Sequence, residues 1–207
     1  TGSSNLKGKV WRDAWKDFKP WEGNSEIPLG DFLRETLTKK GNFYKKIRFS
    51  DAKPGESYNY SNVGASLAAY IIELVSGTSY KAYVRENIFQ KLGMNDTGWL
   101  PNLSKKGATN YFQNGEVVPK YYSSLYPAGG AYSNIKDIGK FLTEIIKGQN
   151  GESELLKKDS FIEMLKKSII QSQSGNDNNA STGLFWEING NRVGHNGGNY
   201  GLVTLMD

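Results

Sequence analysis

Residues 54–77 read PGESYNYSNVGASLAAYIIELVSG. A Pro-Gly turn opens the stretch and a glycine closes it. Between them Val63, Leu67, Tyr70, Ile71, Leu74 and Val75 recur at intervals of three and four, the period of a helix with one apolar face. The small residues Gly64, Ala65, Ala68 and Ala69 lie between them, so the spacing predicts a closely packed, buried helix over 62–76, stopped by Gly77. Tyr60, Ser61 and Asn62 crowd its mouth. An asparagine there is most simply a helix N-cap, although its amide can also serve a ligand.

Working outward, Pro28 opens a short helix over about 29–40, ended by Gly41. Thr78 is the expected cap of a further helix reaching about 90, with Tyr83, Ile88 and Phe89 turned inward. Two Asn-Gly pairs sit between residues of strand preference, YFQ-NG-EVV at 111–118 and FWEI-NG-NRVGH at 185–195, and both read as hairpins. A helix over about 134–147 is expected with Ser133 as its cap and a stripe of Ile135, Ile138, Phe141, Leu142, Ile145 and Ile146. Another is expected over about 159–169, then a polar loop over 171–181 and a strand over 200–206. Residues 1–26 read as irregular, with Trp11, Trp15 and Trp21 packing; Trp186 reads as packing or as a ligand platform. Helices fill the middle, about 60–170, and strands the end, about 180–207. That order argues for α+β architecture rather than alternating βαβ units. The whole reads as a single domain, and both its ends, TGSSN and GLVTLMD, read as cut.

Composition narrows the chemistry. Of 207 residues, 37% are hydrophobic and 13% aromatic, enough for a packed core. The net charge of +5 comes from 21 Lys and 5 Arg scattered along the chain, with no block of five basic residues. Nucleic-acid surfaces cluster charge, so a nucleic-acid partner is not expected. No apolar run approaches the length of a membrane span. Without cysteine there are no disulfides and no thiol nucleophile. One histidine and carboxylates without ligand spacing imply no metal, and no phosphate loop implies a nucleotide cofactor.

What remains is Tyr60 with Asn62, and His195 followed by Asn196, Gly197 and Gly198. A tyrosine is a weak base at its usual pKa of about 10 and needs cationic neighbours to act at neutral pH. Asn62 offers both a donor and an acceptor to an amide or ester. Glycines after His195 let a ligand approach the backbone, whose N–H groups can hold an oxyanion.

Four collinear segments resemble the penicillin-recognising serine hydrolases of the class C β-lactamase branch: PGESYNYSNVGASLAAYIIELVSGTSY at 54–80, IFQKLGMNDTGW at 88–99, PAGGAYSNIKDIGKF at 127–141 and VGHNGG at 193–198. That branch holds β-lactamases, D-Ala-D-Ala carboxypeptidases, D-aminopeptidases and esterases. The resemblance implies an antiparallel sheet flanked by helices, plus a helical region, with the site between them. It implies that Tyr60 is the general base, that Asn62 binds the substrate amide, and that the Gly198 N–H completes an oxyanion hole. His195-Asn196-Gly197 matches the family's K-T-G or H-x-G strand, where His195 would polarise Tyr60 or meet a substrate carboxylate. His195 in place of lysine leans toward an esterase or D-amino-acid peptidase. The implied substrate is a small molecule or peptide (a D-amino-acid peptide, β-lactam or ester), and the implied location is the periplasm or cell envelope. A non-catalytic relative that binds cell-wall peptide or a protein partner is the rival reading.

The family's nucleophile is a serine followed three residues later by lysine, at the start of a buried helix. Ser4/Lys7, Ser50/Lys53 and Ser133/Lys136 have this spacing, but the Ser and Lys frequencies predict about two such pairs by chance. Ser4 is followed by a stretch without a buried-helix stripe, Ser50 leads into a Pro-Gly turn, and Ser133 reads as an N-cap in the segment that the family places after Gly129-Gly130. The expectation is therefore that the nucleophile lies upstream of residue 1.

Overall fold

The computed structural model describes residues 27–46, 49–53, 56, 60–99, 107–118, 123–167, 169–170 and 180–206. Trp11, Trp15, Trp21 and Ser4 lie outside them, as does most of the polar loop. The chain divides into two compact units, Thr1–Val75 with Pro119–Gly130 and Ser76–Val118 with Ala131–Asp207.

In the first unit, helix α1 spans Leu29–Leu37 and helix α2 begins at Asn62 and runs to Ser76, its last residue falling in the other unit. α1 stops three residues short of the predicted end, where Thr38 turns extended and its hydroxyl donates to the Arg34 carbonyl. Gly41 serves a close approach rather than a cap: a Cβ there would lie 2.1 Å from the Glu35 carbonyl oxygen. Leu29 and Leu33 of α1, Ala69 of α2 and Tyr126 of the short 3-10 turn Tyr126–Ala128 are buried. The Tyr126 hydroxyl donates to Glu73 at 3.1 Å.

The interval pattern located α2 correctly but mispredicted its burial. Ser66 and Ala69 are its buried residues, while Leu67, Ile71, Leu74 and Val75 are exposed, Val75 at 84%. The apolar stripe is real, but four of its six side chains face outward, while Val63 and Tyr70 are half-buried, Tyr70 with its ring close against Gly30.

In the second unit, Ser79 rather than Thr78 caps helix α3, Tyr80–Val84, accepting from the Ala82 N–H at 3.3 Å; the Thr78 hydroxyl pairs with Ser76. α3 widens into a π-turn over Arg85–Phe89, where Gln90 donates to the Arg85 carbonyl five residues back. Val84 is the buried side chain of this segment, whereas Tyr83, Ile88 and Phe89 are half-buried. Helix α4 spans Ile135–Asn150, and Asn134, not Ser133, caps it by accepting from the Asp137 N–H. The Ser133 hydroxyl is hydrogen-bonded to Thr97 at 2.7 Å. Ile145 of the expected stripe is buried, but Ile135 and Ile146 are exposed and their place is taken by Asp137, Glu144 and Gly148. Helix α5 spans Lys158–Leu165 and seats Phe161, 1% exposed, against Gly148.

The strands are short and antiparallel. One sheet has the order β1-β2-β3-β4: Ile169–Ile170, Ala180–Thr182, Glu187–Asn189 and Arg192–Gly194. A second sheet pairs β5, Gly197–Asn199, with β6, Leu202–Thr204. The predicted helix to 169 thus gives way to β1, and the predicted strand 200–206 contracts to β6 because Tyr200 and Gly201 make the turn. The Asn-Gly turn at 189–190 is shifted by one: Asn189 ends β3 and the loop is Gly190-Asn191, with positive φ at Gly190 (60°) and not at Asn191, the type II′ pattern. At 111–118 one bridge, Tyr111↔Val117, forms instead of a ladder, around Gly115 at φ 86°. Mixed helices with small antiparallel sheets is the architecture. β4 and β5 are separated by His195 and Asn196 alone, so these two residues carry the chain from one sheet to the other.

Candidate active site

The candidate residues fall into two groups, one in each unit. Tyr60 and Asn62 belong to the first. Ser61, between them, caps α2: its hydroxyl accepts from the Gly64 N–H at 3.0 Å, and its carbonyl accepts from Ala65. The capping role expected of Asn62 is therefore filled by its neighbour, and Asn62 is the first helical residue, its side chain exposed. Tyr60 is 44% exposed.

His195, Asn196, Gly197 and Gly198 belong to the second unit. The His195 N–H donates to the Met206 carbonyl at 2.8 Å, which continues the β5–β6 register of Gly197↔Thr204 and Asn199↔Leu202 by one step. In an antiparallel ladder, hydrogen-bonded pairs alternate with pairs whose main-chain groups point outward. His195, Gly197 and Asn199 therefore direct their N–H groups at β6, and Asn196 and Gly198 direct theirs at the opposite edge. Gly198 presents its N–H on that edge, and a Cβ built on it would meet nothing within 4 Å. Gly197 differs: a Cβ there would lie 2.2 Å from Thr204 Oγ1. Its missing side chain makes room for Thr204. Thr204 shares the face of His195 and was not singled out by sequence reading, because its placement follows from register. The Tyr200-Gly201 turn could have signalled it.

The β5–β6 turn is seated on residues 110–112. Asn110 Nδ2 donates to the Tyr200 carbonyl at 3.3 Å, and the Phe112 and Tyr200 rings meet edge-on at 6.1 Å. Burial pushes the Tyr200 phenol above its ordinary pKa, opposite to what a base at neutral pH needs. The His195 ring lies with Nδ1 2.6 Å from the Asn196 carbonyl oxygen. Trp186 stacks on Phe141 at 6.2 Å, a packing role.

Of the serines with lysine spacing, the Ser50 hydroxyl accepts from the Ala52 N–H, and Ser133 is bonded to Thr97. Ser50 opens no helix, and Ser133 stands one residue ahead of Asn134, the cap of α4. Two surface depressions, of about 700 Å³ beside Tyr44 and Phe49 and about 540 Å³ beside Lys91 and Lys147, include none of the candidate residues. Among the described residues no three His, Asp or Glu side chains gather as a metal site, and no helix is long and apolar enough to cross a membrane.

The Beta-lactamase family profile matches residues 11–207, nearly the whole chain. The chain belongs to the beta-lactamase family. It is 29% identical over 153 residues to Beta-lactamase-like protein 4 of Dictyostelium discoideum, covering 66% of this chain and 26% of that protein. Its fold is similar to that of a D-stereospecific amidohydrolase from Streptomyces sp., with TM-score 0.60 and 26% identity over 75% of this chain and 47% of that one. It is also similar to the D-amino acid amidase of Ochrobactrum anthropi SV3, solved with D-phenylalanine, with TM-score 0.56 and 25% identity over 71% and 46% of the two chains. Alignments to these and other family members span about a quarter to a half of the relatives' own length.

Proposed function

We propose that the chain is part of a serine hydrolase that cleaves an amide or ester, with D-amino-acid amides and peptides as the favoured substrate class. In this reading a serine outside these 207 residues attacks the substrate carbonyl, the leaving group departs with a proton, and water then releases the acyl group. Tyr60 exchanges the proton between the serine and the leaving group. Asn62, relieved of capping by Ser61, hydrogen-bonds the substrate amide. The Gly198 N–H donates to the developing oxyanion. His195, Asn196 and Gly197 form the strand along which the substrate lies.

The observation that carries this reading is the edge of β5. An N–H turned out of its own ladder, on a residue without a side chain and with open space beside it, suits an oxyanion donor. The amide chemistry comes from the likeness to the two D-specific amidases.

The test uses the full-length protein, a fluorescent penicillin or fluorophosphonate, and hydrolysis of D-phenylalanine amide. A serine should be acylated and the amide turned over. Tyr60→Phe should slow acylation by about 10²–10⁴, and Gly198→Pro, which deletes the N–H but none of the β5–β6 bonds, should lower kcat by about 10²–10³. Neither variant should unfold the protein. A full-length protein that takes up no label and hydrolyses no amide or ester is a non-catalytic relative, and the proposal is then wrong.

A further inference from the structure

Helix α2 carries its polarity on the wrong side for a helix that ends at water. Its inward face holds Ser66 and Ala69, both buried, with Tyr70 against Gly30 and Glu73 accepting from the Tyr126 hydroxyl. Glu73 is the only charged residue between Asn62 and Ser76. Its outward face holds Leu67, Ile71, Leu74 and Val75, all exposed. Spaced at i, i+4, i+7 and i+8, these four form one continuous stripe without a polar group.

A surface helix turns its charged residues outward and its aliphatic ones inward. The other helices follow that rule. α1 exposes Asp31 and Arg34, paired at 3.0 Å, and α4 exposes Lys136, Lys140 and Lys147. α2 reverses it, and so has the composition of a helix covered on both sides. A wholly apolar stripe suits a permanent interface, which resembles a core cut in half, better than an exchanging one.

We propose that the outward face of α2 is an internal docking surface, covered by a segment of the same protein that lies outside these 207 residues. The relatives' lengths leave room for such a segment: curated relatives aligned to most of this chain are matched over 26% to 43% of their own length. The hydrolase reading points to the same occupant from a different direction. It requires a serine from outside these residues to reach Tyr60 and Asn62. Leu67, the first of the four exposed side chains, stands little more than one turn past Asn62. A segment seated on the stripe therefore runs to the mouth of the helix where that serine is needed.

The chain has no cysteine, so Ile71→Cys and Val75→Cys place a single thiol within it on the stripe. In the native full-length protein each should react with N-ethylmaleimide at least ~100-fold more slowly than in concentrated urea, because labelling then waits for local opening. Hydroxyl-radical footprinting of the wild-type protein gives the same readout without a substitution: Leu67, Ile71, Leu74 and Val75 should be oxidised only after unfolding. Photo-leucine incorporated in place of leucine identifies the neighbour. Irradiated monomer should yield cross-links from positions 67 and 74 to peptides outside these 207 residues. Rapid native labelling or oxidation, protection that fades on dilution, or cross-links that join two copies, reach another protein, stay within these residues or fail to form would each overturn the proposal. None of these readouts uses turnover, so an inactive protein with a protected stripe would sink the hydrolase reading and leave this one standing.

Discussion

Helix α4 contains two interior glycines, Gly139 and Gly148, and replacing each by alanine should change stability in opposite directions. In an exposed helix interior, alanine is favoured over glycine by about 1 kcal/mol. At Gly139 nothing lies within 4 Å of the added Cβ, so that preference should appear nearly undiminished. At Gly148 the Cβ would lie 2.3–2.4 Å from three atoms of the Phe161 ring. Phe161 is 1% exposed and cannot swing into solvent. Nor can α5 back away cheaply: Leu184 donates to the Met164 carbonyl at 2.8 Å, and Gly183 passes so close that a Cβ there would lie 2.4 Å from the same oxygen. Overpacking a fixed core costs about 1–3 kcal/mol. Three ring contacts this short place the cost in the upper part of that range, about 2–3 kcal/mol, so after the helix preference of about 1 kcal/mol is subtracted Gly148→Ala should destabilise by about 1–2 kcal/mol.

Urea and thermal unfolding followed by far-UV circular dichroism would measure both. For a chain of this size each kcal/mol moves Tm by about 2–4 °C, so Gly139→Ala should raise Tm by a few degrees and Gly148→Ala should lower it. Phe161→Leu supplies the coupling test. The smaller side chain leaves room for the methyl, so the cost of Gly148→Ala should fall or change sign on that background. Equal stabilisation by both alanines, or a Gly148→Ala cost that Phe161→Leu leaves unchanged, would refute the packing argument.

Two other substitutions test the second unit. Asp137 is buried and accepts from the Asp96 N–H at 2.9 Å, Thr97 Oγ1 at 2.9 Å and Lys140 Nζ at 3.2 Å. Burial raises its pKa, but these hydrogen bonds and the Lys140 charge outweigh burial and leave it lowered. A lowered carboxylate stabilises the fold above its unfolded pKa of about 4 and loses that contribution as pH falls through the folded value. Asp137→Asn should therefore cost about 2–3 kcal/mol near neutrality, with the gap to wild type narrowing below about pH 4; urea titrations showing a constant gap would contradict this. At Gly201 (φ 64°) a Cβ would lie 2.4 Å from the Tyr111 carbonyl oxygen. Gly201→Ala should loosen the β5–β6 turn and speed amide hydrogen exchange at His195, Gly197 and Asn199 by about tenfold or more, given a left-handed penalty of about 1–2 kcal/mol; unchanged exchange would show that the turn does not hold the strand.

What could be read from the residues divides by whether the signal is local. The interval pattern over 62–76 locates α2, and the residues around it locate Tyr60 and Asn62, because a helix and its mouth are specified within about four residues of chain. The caps were each misassigned by one residue for a non-local reason at α4: Ser133 reaches Thr97, 36 positions away, which leaves Asn134 to hold the helix end. Burial failed most clearly on α2. A period of three and four identifies an apolar face but not what lies against it, and Leu67, Ile71, Leu74 and Val75 are exposed although their spacing is that of a core. The strand end of the site shows the same limit. His195 and two glycines are visible as a motif, yet Gly197 and Gly198, adjacent and chemically identical, have different surroundings: one accommodates Thr204 and the other turns its N–H outward. That difference is set by β5–β6 register, and register is set by where the Tyr200-Gly201 turn falls. A one-residue slip of that turn would exchange the two roles and direct the His195 N–H away from Met206. The chemistry proposed for this edge thus depends on the docking of Gly201 against Tyr111, a contact between residues 90 positions apart whose glycine is the one detail the sequence displays.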